Sequence, residues 1–173
     1  MRTALCCVLA ATALVPTPIG RGPLYHPRVA GPTAAPFACA AGEPLRQGAR
    51  IHLELFANRR VVIVPAGIGV AGAAKHLGNV VAGCHAELWT LDPTGVVWFE
   101  QPGERLGAFF QLWGWSLAPS RLLAFDGHVS VYVNGRPWHG DPRDLVLRDR
   151  AEVVLEVGGY VPPHAKFLFP PLG

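Results

Sequence analysis

Lysine is almost missing from this chain: of its 15 basic residues only Lys75 and Lys166 are lysines, set against 12 acidic residues. The remaining cations are scattered arginines, so no basic stripe follows a phosphate backbone, and nucleic acid is not an expected partner. Signatures of catalysis are missing too. Ser116, Ser120 and Ser130 lack a Gly-x-Ser-x-Gly elbow or a nearby His-Asp arrangement, and Cys84 and His85, adjacent on a strand, point to opposite faces. Gly67-Ile68-Gly69 has neither the third glycine nor the helix start of a phosphate-binding loop. No two of the seven histidines stand two or four residues apart. Taken singly they read as loop histidines. These absences argue against an enzyme and against a bound cofactor.

Long hydrophobic runs are lacking as well. The longest candidate, Ala4 to Val15, is too short to span a bilayer comfortably, but it follows Arg2 directly and ends near Pro16 and Pro18. That is the pattern of a secretory signal peptide over residues 1–20, with a buried N-terminal helix as the competing reading. Contact with a membrane is expected only through this segment left uncleaved. Export would leave Cys39 and Cys84 in an oxidising compartment, where an even count reads as one disulfide rather than two buried thiols. The expected location is secreted, periplasmic or in the cell envelope.

What is present suits one domain, since half of 173 residues are apolar. Residues 21–48 are rich in Pro, Gly and Ala without an apolar period, a linker ordered only near Cys39. Residues 49–160 carry the fold. Ile51, Leu53, Leu55 and Ala57 alternate with His52, Glu54 and Phe56, and Asn58-Arg59 turns the chain into Val61 to Val64. After a weakly polar loop leading to Cys84, Glu87 to Asp92 and Val96 to Glu100 flank Pro93-Thr94-Gly95 as a second hairpin. Leu106, Phe109, Phe110 and Trp113 form one helical stripe ended by Gly114 and Pro119. A strand over His128 to Val133 meets Asn134-Gly135, and Val153, Leu155 and Val157 share one face of the last strand. Residues 161–173, with Pro162-Pro163 and Pro170-Pro171, form an extended tail. The expected class is α+β: a small antiparallel or mixed sheet of about six strands built from hairpins and covered by one helix.

Two local groupings invite chemistry. His52 and Glu54 share a strand face, and Asp92 and Glu100 bracket the second hairpin as paired carboxylates would. A solvated polar stripe, a turn-capping Asp and a rim Glu are the plainer readings.

The blocks Cys39…His52-Leu53-Glu54-Leu55-Phe56, Val64-Pro65-Ala66-Gly67-Ile68-Gly69, Leu88-Trp89-Thr90-Leu91-Asp92, Thr94-Gly95-Val96-Val97-Trp98-Phe99-Glu100, Leu106-Gly107-Ala108-Phe109-Phe110 and Trp113-Gly114 resemble an uncharacterised family of exported bacterial and archaeal proteins. That family's blocks read His-x-His-x-His-Leu, Pro-Ala-Gly-Ile-Gly, Leu-His-Thr-His-Asp, Gly-Ile-Ile-His-Val-Glu, Leu-Gly-x-Phe-Phe and Trp-Gly. The resemblance implies a histidine-rich metal face across two hairpins. This chain departs there: Arg50, Trp89, Leu91 and Trp98 replace histidines, which leaves His52, Asp92 and Glu100. The expected function is therefore an exported, non-enzymatic binding or structural domain. Its candidate surface is His52, Trp89, Leu91 and Trp98, facing an unknown small molecule or protein of the cell envelope. The same aromatic group could equally be core. The rival is a copper- or zinc-binding protein using His52, His85, Asp92 and Glu100. Three or four well-placed donors make a tight site, and so short a set predicts none of submicromolar affinity.

Overall fold

The structure is a computed structural model describing residues 24–39 and 44–171; the expected signal segment lies outside the described residues. Among the described residues twelve strands and one α-helix follow in chain order, with a short 3-10 turn at Pro142–Asp144. They are β1 (Ala49–Ala57), β2 (Arg60–Val62), β3 (Val70–His76), β4 (Asn79–His85), β5 (Leu88–Thr90), β6 (Val96–Phe99), α1 (Leu106–Trp113), β7 (Leu117–Ala118), β8 (Arg121–Leu122), β9 (Phe125–Asp126), β10 (Val129–Val133), β11 (Arg136–Trp138) and β12 (Glu152–Val157). A mostly β architecture with one α-helix fits the α+β expectation in outline.

The main sheet runs β11-β10-β12-β1-β6-β5, with β2 also paired to β1. Its strands are antiparallel except for the central pair, β1 and β12, which run parallel. Three hairpins form where turn chemistry places them. Asn58 and Arg59, at φ 51° and 62°, and Asn134 and Gly135, at 51° and 75°, have the positive φ pair of the tight turn whose twist matches its strands. Odd-numbered residues of β1 and β12 point to one face, where Ile51, Leu53, Leu55, Val153 and Leu155 meet Phe109, Phe110 and Trp113 of α1 in the principal core. The helix ends at Gly114, whose left-handed φ of 75° lets its N–H reach back to the carbonyls of Gln111 and Phe110.

Two parts differ from the sequence expectation. The segment before Cys84 is not a loop but the ribbon β3–β4, turned at Leu77-Gly78. Its Ala and Gly content hides any apolar alternation, so only the backbone pairing reveals it. The segment before Cys39 is also engaged earlier than expected. Tyr25 bridges to Val62, Trp113 Nε1 donates to the Arg28 carbonyl, and Thr33 Oγ1 donates to the carbonyl of Gly114. These are backbone services to an edge strand and a helix end, invisible to side-chain periodicity. The Cys39–Cys84 disulfide, with Cα atoms 5.4 Å apart, ties this segment to the end of β4. No helix among the described residues is long and apolar enough to cross a membrane.

Candidate functional site

The other face of the sheet carries the even-numbered residues of β1 and β12. In the parallel register His52 lies beside Glu152, Glu54 beside Val154 and Phe56 beside Glu156. His52 and Glu152 are only 6% and 1% exposed, and Arg50 and Glu156 are buried on the same face. A row of charged groups thus stands opposite the apolar core.

The C-terminal tail closes this row as a strap. Val161 N–H donates to Glu156 Oε1, His164 Nδ1 lies 2.8 Å from Glu54 Oε2, and Phe167 stacks on the His52 ring with centroids 3.8 Å apart. At the far end the Arg50 guanidinium lies between the Trp98 and Phe169 rings, 5.1 and 5.3 Å from their centroids, and donates to the Pro170 carbonyl. The strap therefore reads the row residue by residue, from Glu156 down to Arg50.

His52 is fixed at both ring nitrogens. Nε2 lies 2.8 Å from the Thr94 carbonyl, and Nδ1 lies 2.9 Å from each oxygen of the Glu152 carboxylate. A carbonyl only accepts, so Nε2 carries a proton and donates. Nδ1 then meets the carboxylate either as a second donor, making His52 an imidazolium, or as an acceptor of a proton held by Glu152. One proton is shared by the pair. Burial works to lower the His52 pKa, but the hydrogen bond and charge of Glu152, with help from the Thr94 carbonyl and Glu54, outweigh it and raise the value above 6.5. Burial also raises the Glu152 pKa, which His52 only partly offsets.

The turn that supplies Thr94 needs a glycine next to it. Gly95 has φ 84°, and a Cβ there would come within 2.5 Å of the Leu53 carbonyl and 3.2 Å of His52 Nε2. Only glycine lets this turn close over the imidazole. Beside it an open groove of about 170 Å³ runs along β1 and β2, with His52, Glu54, Thr94 and His164 set in a mostly apolar lining.

Three of the residues expected to form an aromatic surface lie in the interior. Trp89 and Leu91 are fully buried and Trp98 is 2% exposed; with Ala66, Val80 and Val96 they form a second core beneath the β3–β4 ribbon. Trp89 and Trp98 do pair across β5 and β6, but Leu45, His85 and the ribbon close over them. Unlike those three, His52 is part of a polar site. The expected metal set His52, His85, Asp92 and Glu100 is likewise not one cluster. His85 Nε2 is 3.8 Å from Glu100, Asp92 accepts from Thr94 in its own turn, and His52 turns to Glu152.

Among the described residues, the group whose ligand atoms all lie within 4.8 Å of one another is His52, Glu54 and Glu152. Sequence reasoning missed Glu152 and His164. A signal existed: Glu152 and Glu156 interrupt an otherwise apolar strand on one face, and Phe167 and Phe169 alternate within the proline-rich tail.

The fold and site together define a mixed-sheet α+β domain with a strap-covered polar site on its outer face. Neither the family models, the curated proteins nor the solved structures gave a match to the chain. The reading of its role rests on the geometry.

Proposed function

We propose that this is an extracytoplasmic, non-enzymatic domain that holds a ligand on the outer face of its sheet, beneath the C-terminal strap. The observation that carries the reading is the burial of charge there. A face kept only for stability gains as much from packed apolar side chains, because desolvating an ion pair cancels most of its attraction. Yet His52, Glu152, Glu156 and Arg50 are all buried on it. The non-enzymatic part is supported by Cys39 and Cys84, which are joined to each other and offer no thiolate nucleophile. The disulfide and the apolar N-terminal run support a place outside the cytoplasm.

Kinship with the exported family belongs to the same proposal. At a position where that family carries a histidine, Arg50 sets a permanent cation between two aromatic rings, which fits a family cation face replaced by one built into the chain. The competing structural role draws its support from the enclosed Trp89, Leu91 and Trp98, and applies to that second core.

The test removes the pair as a unit. The double variant His52→Leu/Glu152→Leu is expected to fold with a thermal midpoint equal to or above that of the natural chain. A large fall in the midpoint would make the pair structural and end the ligand reading.

A further inference from the structure

Two imidazoles on the outer face each have a nitrogen directed at a carboxylate. His52 Nδ1 lies 2.9 Å from both Glu152 oxygens, and His164 Nδ1 lies 2.9 and 2.8 Å from the two Glu54 oxygens. For His52 the roles are constrained, because its other nitrogen is committed to the Thr94 carbonyl. In the neutral ring with Nε2 protonated, the Nδ1 lone pair faces two carboxylate oxygens, and something positive has to lie between them. A proton meets that need, and so does a metal ion. A ring N–H donated to a backbone carbonyl, with the opposite nitrogen turned to the metal, is the arrangement that orients histidine ligands.

Three further observations point the same way. The ligand atoms of His52, Glu54 and Glu152 already lie within 4.8 Å of one another. Two carboxylates and two neutral imidazoles carry two negative charges, which one divalent ion cancels in a place where uncompensated charge is costly. The open groove that His52, Glu54, Thr94 and His164 share with the apolar side chains of β1 and β2 gives an approach from solvent, and His164 at 62% side-chain exposure stands at its edge.

We infer that His52, Glu54 and Glu152 form a site for one divalent cation of the zinc class, with His164 of the strap holding the Glu54 carboxylate at its edge. One imidazole and two carboxylates in a group of three suit such an ion with a further position left open; calcium, which takes six to eight oxygens, is poorly served. The inference rests on the ligand-holding reading above and gives that ligand a chemistry. The sequence pairs His52 with Glu54 on one strand face, whereas Glu152 on β12 lies outside the positions it singles out. It runs against the expectation that the chain has too few donors, because it joins His52 to Glu54 and Glu152 rather than to Asp92 and Glu100.

The experiment is calorimetric titration of the full, disulfide-intact chain, stripped with chelator, with Zn²⁺ in two buffers of different ionisation enthalpy. One equivalent is expected to bind with release of about one proton near neutral pH, because the ion takes the proton's place between His52 and Glu152. Glu54→Gln and His164→Ala, both at partly exposed positions, are each expected to weaken binding at least about tenfold. Their near-ultraviolet circular dichroism should match the natural chain. Absence of saturable binding would overturn the inference, as would one-equivalent binding that both variants leave undiminished, which places the ion elsewhere. The metal-free stability of the double leucine variant is a separate readout, so failure here does not by itself decide the broader reading.

Discussion

The two faces of the main sheet solve the same burial problem by opposite means. On the inner face Leu53, Leu55, Val153 and Leu155 meet a helix stripe of Phe and Trp, and burial needs no partner chemistry. On the outer face the buried charged side chains of β1 and β12 each have a counterpart: Glu152 for His52, the Val161 amide for Glu156, the Pro170 carbonyl for Arg50. The inner face tolerates imprecision because dispersion and hydrophobic transfer are non-directional, whereas each charge buried on the outer face needs a matched partner. One β-strand, β1, serves both designs by alternation alone.

That contrast can be broken at several points. The largest effect is expected inside: Phe110→Ala empties a fully enclosed ring site and should cost about 3–5 kcal/mol in urea unfolding. A near-neutral result would mean the stripe does not anchor the sheet. Removing only one member of the outer pair should come close, since Glu152→Leu alone leaves His52 buried without its carboxylate, at about 3–5 kcal/mol. The comparison is sharp because the double leucine variant is expected to recover that loss. Reducing Cys39–Cys84, which closes a separation of 45 residues, should cost about 2–4 kcal/mol in the same assay. Unchanged unfolding with reductant would show that the disulfide constrains little. Smaller still is Phe167→Ala, which removes one stacked ring from His52 and should cost about 1 kcal/mol while making His52 more accessible to proton exchange.

The slightest and most specific effect is on pH. His52 and Glu152 both bind their proton more tightly in the fold than in the unfolded chain, so the folded state carries the greater number of protons. Stability then falls as pH rises. The loss begins as pH passes the ordinary glutamate value of 4.5, where raised Glu104 and Glu156 add to it, and the His52 contribution, full below 6.5, fades as pH climbs through its raised value. Asp141, held down to about 2 by Arg143, acts with the opposite sign only at more acidic pH. Thermal midpoints should decline across this window, and His52→Gln/Glu152→Gln should flatten the part above about pH 6. A profile unchanged by that substitution would dissociate the slope from the pair.

What the sequence disclosed follows the range of each interaction. The hairpins at Asn58-Arg59, Pro93 to Gly95 and Asn134-Gly135, and the helix Leu106–Trp113, depend on turn chemistry and periodicity within a dozen residues, and the chain forms them. The ribbon β3–β4 was hidden by residues too small to show alternation. The site was hidden for another reason. His52 and Glu152 are 100 residues apart and Glu54 and His164 are 110 apart, and no local pattern encodes a parallel register or the path of a proline-rich strap.

The parallel junction of β1 with β12 also sets an order of events. Take away β12 and the sheet falls into two pieces, β11-β10 on one side and β2, β1, β6 and β5 on the other. A chain delivered progressively from its N-terminal end, through a ribosome or a translocation pore, holds both pieces but not the keystone until the last strand arrives, and the strap arrives later still. Closure over so long a loop is slow, because its entropy is lost before any pairing rewards it. For a chain that emerges as an unfolded thread, this order delays closure: the fold locks only after residues 152–171 have emerged.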